Sequence, residues 1–67
     1  MTTTENILAA QTLYAQGVEK RHRGELGAAR NEFKKALDLN PDFAAAKTAL
    51  DMLDDILQHG NRERYNV

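Results

Sequence analysis

Cysteine is absent from the sequence, which excludes disulfides and thiolate metal sites, the staples that small domains often use. Tryptophan is absent as well, and two tyrosines and two phenylalanines are the only aromatic residues. Charge of one sign is lacking too: nine basic residues against ten acidic ones leave a net charge of −1. A chain so balanced carries no overall electrostatic footprint for nucleic acid or an anionic membrane. No apolar run approaches the roughly 18 residues that a membrane span needs, and the opening MTTTENILAA has neither the basic nor the apolar region of a secretory signal. The expected compartment is the cytosol. Proline occurs once, at position 41, so the backbone has one rigid punctuation mark and long stretches free to be helical.

Sixty-seven residues make one domain, and a domain of that size buries only roughly 60% of the surface of its unfolded chain. Helix packing or self-association must therefore supply its stability.

Three helices are expected, near residues 4–22, 25–39 and 42–58. In the first, Ile7, Ala10, Leu13, Tyr14, Gly17 and Val18 recur at three- and four-residue spacing, widened by Leu8 and Ala15. Thr2 with Glu5 has capping-box spacing, and Thr4 is an equally good N-cap. The basic run from Lys20 to Arg23 suits the negative end of the helix dipole, and Gly24 the permissive backbone of a C-cap. In the second helix Leu26, Ala29, Phe33, Ala36 and Leu37 share a stripe, with Arg30, Glu32, Lys34, Lys35 and Asp38 mostly outside it. A connection this short forces the two helices into an antiparallel hairpin. Asn40-Pro41-Asp42 stops the second helix and starts the third, with Asn40 as its cap and Pro41 in its first turn. The third helix carries one stripe of Phe43, Ala46, Leu50, Leu53 and Leu57 and, beside it, a second of Ala45, Ala49, Met52 and Ile56. Gly60 is its expected C-cap. The organisation is thus a helical domain over residues 1–60 and a polar tail over 61–67. Leu13, Gly17, Leu26, Ala29, Phe33, Ala36, Leu50 and Leu53 are the expected buried set.

Residues 10–43 resemble a tetratricopeptide repeat, the 34-residue helix–turn–helix unit. Leu13 stands where the family often has tryptophan, Gly17 at its glycine and Gly24 at the frequent glycine of the turn, while Ala29-x3-Phe33, Ala36 and Pro41 fall at the family spacing. Gln16 and Lys20 replace an apolar residue and the usual tyrosine. Residues 44–58 resemble the helix that closes such arrays, and MLDDILQHGNRERYNV is similar to the ends of small bacterial repeat proteins. The implied fold is all-α, a hairpin plus a closing third helix.

The resemblance also implies a function: the inner face of the first helix of each repeat lines a groove that holds a peptide or helix of a protein partner. Here that face presents Gln11, Tyr14, Val18 and Arg21, joined by Thr48, Met52 and Asp55 of the third helix. Tyr14 and Val18 stand where lysines and asparagines clamp a peptide carboxylate in some members, so an apolar helix is the better-suited ligand. The alternative is assembly itself, a homodimer in which Ala45, Ala49, Met52 and Ile56 meet a second copy, with Arg21 and Asp55 setting orientation. A monomer in which Ile7 and Leu8 cover that strip is the third possibility.

Nothing in the sequence assembles catalytic chemistry, and neither an enzyme nor a cofactor or metal site is expected. His22 and His59 lie far apart and without metal-ligand spacing, and Asp51, Asp54 and Asp55 sit on a helix rather than a ligand-gathering loop. The run Lys20 to Arg23 is flanked by Glu19 and Glu25 and lacks interleaved aromatics, against an RNA contact.

Overall fold

Three threonines open the chain, and in a computed structural model, which describes residues 3–65 and side chains as far as residue 58, the middle one does the capping. Thr3 has extended backbone angles, and its hydroxyl accepts from the N–H of Asn6 at 3.1 Å. Helix α1 then runs Thr4–His22. Thr4 is thus its first helical residue and not its cap, and Thr2 lies outside the described residues. With Thr3 as cap, Glu5 falls in the first turn, against the positive end of the helix dipole.

The end of α1 is closed by a Schellman arrangement. Gly24 N–H donates to the carbonyl of Arg21 at 3.0 Å and Glu25 N–H to that of Lys20 at 2.9 Å. Closing those bonds requires a left-handed residue at position 24, where φ is +83°, and glycine adopts it without steric cost. Helix α2 begins two residues later and runs Leu26–Leu39.

At the other end of α2 the chain makes a tight turn. Asn40 N–H still donates to Ala36, and Phe43 N–H then donates to the Asn40 carbonyl at 3.0 Å. Asparagine at the first position and proline at the second are preferred residues for such a turn. Asn40 therefore ends α2 and does not cap α3, and Pro41 and Asp42 form the bend instead of opening the next helix. Helix α3 runs Ala44–Tyr65, with the Phe43 carbonyl accepting its first bond from Lys47. It passes through Gly60, so residues 61–65, expected as tail, are helical. A mid-helix glycine costs only about 1 kcal/mol relative to alanine, and the following Arg62, Glu63 and Arg64 are good helix formers.

The helices are successive antiparallel neighbours, α1 on α2 and α2 on α3, and the described residues contain no strand. Two apolar clusters form the core. One joins Ala29, Phe33, Ala49 and Leu53, the other Ala10, Ala36 and Ala46, and Tyr14 packs against both. Its ring lies 5.5 Å from that of Phe33 and 5.3 Å from that of Phe43, both tilted, geometries that suit the ring quadrupoles. Phe33 is fully buried, and its ring presses on α1 at Gly17, where a Cβ would stand 2.6 Å from Cε1.

The buried set differs from expectation in a regular way. Gly17, Ala29, Phe33, Ala36 and Leu53 are buried, but Leu13, Leu26 and Leu50 are only half-buried, and Ala10, Ala46 and Ala49 are buried in addition. Small residues occupy the centre line where backbones approach, while the leucines flank it in a fold without enough helices to wrap them. Glu32, expected outside the stripe, is 7% exposed.

Two glycines give a paired test. Gly27 in α2 has open space where a Cβ would go, so Gly27→Ala should stabilise by about 0.4 to 1 kcal/mol. Gly17→Ala meets the Phe33 ring and should destabilise by about 1 to 3 kcal/mol as an overpacking change. Phe33→Ala should cost about 3 to 5 kcal/mol and leave the chain largely unfolded. Thermal melts followed by circular dichroism rank the three, and a Gly17→Ala variant as stable as Gly27→Ala would refute the close approach.

Candidate interaction surface

Each residue turns an α-helix by about 100°, so residues at alternating four- and three-residue steps stay on one side. In α3 the series Ala46, Leu50, Leu53, Leu57 keeps such a seam toward α2, and Ala45, Ala49, Met52, Ile56 repeats it one residue earlier. The second seam is split by depth. Ala49 belongs to the core, at 8% exposure, whereas Met52 is 47% and Ile56 45% exposed and Ala45 is open to solvent. As a contact residue Ala49 is therefore withdrawn: it belongs to the core cluster with Ala29, Phe33 and Leu53.

The α1 side of the surface is arranged likewise. Tyr14 and Val18 are half-buried and pack against the cluster that contains Ala49 and Leu53, which brings the α1 and α3 faces together at that level. Gln11 and Arg21, one turn to either side, are exposed. Thr48 and Asp55 are exposed on α3 at the edge of the Met52 strip. The result is an apolar patch with a polar border.

Ile7 and Leu8 do not cover the strip; they are themselves exposed, Leu8 at 58%. Leu57 was assigned to the core stripe yet is 38% exposed. Length explains it. At 1.5 Å per residue, α2 with 14 residues spans about 21 Å and α3 with 22 about 33 Å, so α3 runs past the start of α2 from about residue 57. Sequence spacing places Leu57 on the right side of the helix but does not reveal where its cover ends.

Much of the surrounding charge is matched within the fold. Lys20 of α1 lies 3.5 Å from the buried carboxylate of Glu32, which Lys35 also approaches at 3.6 Å. Arg23 pairs with Glu19 at 2.6 Å, and Arg30 of α2 pairs with Asp54 of α3. Two of the four residues in the basic run 20–23 thus have carboxylate partners, and Arg21 and His22 are exposed. Asp54 is an inter-helix tie in place of a member of a purely solvated acidic face. No cavity opens among the described residues, and none of their His, Asp and Glu side chains gather in threes as a metal would require. His59 lies beyond the described side chains.

The Lys20–Glu32 pair has a testable asymmetry. Lys20→Met leaves a buried carboxylate with a thioether on one side and only the exposed Lys35 on the other, a costly arrangement. Glu32→Met fills the same space with an apolar side chain and leaves only a lysine that reaches water. We expect Lys20→Met to be the more destabilising by about 1 kcal/mol, and the double variant to resemble Glu32→Met alone in a chemical-denaturation cycle. Additive effects would show that the two side chains do not interact.

Comparison of the chain with protein-family models, with curated proteins and with solved structures yields no match.

Proposed function

We propose that the chain is a protein-binding module of the tetratricopeptide-repeat kind, one repeat hairpin and a closing helix, with no catalytic role and no bound cofactor. The observation that carries the proposal is the Met52–Ile56 strip, left nearly half exposed in a molecule whose described residues fully bury only two large side chains, Phe33 and Leu53. A protein so short of buried apolar surface gains most by covering such a strip, and exposed apolar patches with polar borders mark interaction sites. The repeat spacing from Leu13 to Pro41, the bare Gly17 under Phe33 and the antiparallel helix pair are consistent with the repeat reading.

The ligand best suited to this surface is an amphipathic helix. Two or three apolar side chains at helical spacing would seat on Met52, Ile56 and the half-buried Tyr14 and Val18, and Gln11, Thr48, Arg21 and Asp55 border them with polar groups. Methionine adapts its shape to varied apolar partners, so the surface favours a class of helix over one fixed sequence. Among the described residues no helix is long and apolar enough to cross a membrane, and the cytosol is the compartment we assign.

A library of amphipathic helical peptides, titrated calorimetrically against the protein, tests the reading. Peptides that bind wild type should bind Met52→Glu/Ile56→Lys at least about ten-fold more weakly, which is about 1.4 kcal/mol, and Leu8→Glu with unchanged affinity. Peptide affinities that ignore the double substitution, or the absence of any binder, would overturn it.

A further inference from the structure

We draw no further inference here: the strongest candidate, the apolar face of α3 on which Met52, Ile56 and the overhanging Leu57 are exposed, belongs to the surface already described, and nothing in the structure shows what covers it.

Discussion

The fold depends on one contact, the ring of Phe33 laid on the bare backbone of Gly17. With a Cβ position only 2.6 Å from the ring, no side chain at residue 17 would let α1 and α2 approach as they do. That approach sets the positions of everything nearby. It buries Ala29 and Ala36 along the shared line of the hairpin and presents the far side of Phe33 to Ala49 and Leu53 of α3. It also leaves Tyr14 at the boundary, where its ring joins Phe33 to Phe43 and so ties the hairpin to the turn that starts α3. Dispersion contacts are individually small, so a core with two large residues works only if nearly every atom of them is in contact.

Polar ties supplement this packing at the places where the alanines reach no further. Opposite Lys20 of α1 the structure sets an acidic residue of α2, Glu32, that is buried. The pairing makes physical sense: a lysine stem can lie over apolar surface while its ammonium meets a carboxylate. Among the described residues no buried side-chain nitrogen or oxygen lacks a hydrogen-bonding partner, so the burial of Glu32 leaves no orphaned charge. Arg30 and Asp54 play a similar part between α2 and α3. As partly exposed pairs these contribute little to stability on average, but they bias which helix faces meet.

The legible parts of the fold were those that depend on local chemistry. Helical periodicity, the glycine at 24 and the proline at 41 placed all three helices and both turns in order, because caps and turns are decided by residues within reach of one another. What was not legible depends on distance. Glu32 reads as a surface residue until Lys20 is known to lie across from it. Leu57 reads as core until the length of α2 is known. Leu13, Leu26 and Leu50 look more apolar than the alanines beside them, yet the alanines are deeper, because depth here follows backbone approach. At the candidate surface the spacing of Met52 and Ile56 was visible, but their exposure followed only from no further helix among the described residues lying over them and from Ile7 and Leu8 being exposed themselves. Ala49 shared their spacing and is core all the same.

Two seams on one helix, offset by a single residue, require two neighbours about 100° apart. In α3 the chain supplies α2 for the first, and Tyr14 and Val18 of α1 pack against the cluster that includes Ala49 of the second. A helix meant to end a structure gains nothing from apolar residues at 52 and 56, since polar ones there would cost no packing and would lower the tendency to associate. The strip is the feature on which the proposed binding function rests. Its position matters as much as its composition: Ala49 and Leu53 of the same helix are core, and the residues bordering it on both helices are polar. Met52 and Ile56 present apolar side chains to whatever meets them, and the methionine adapts its shape.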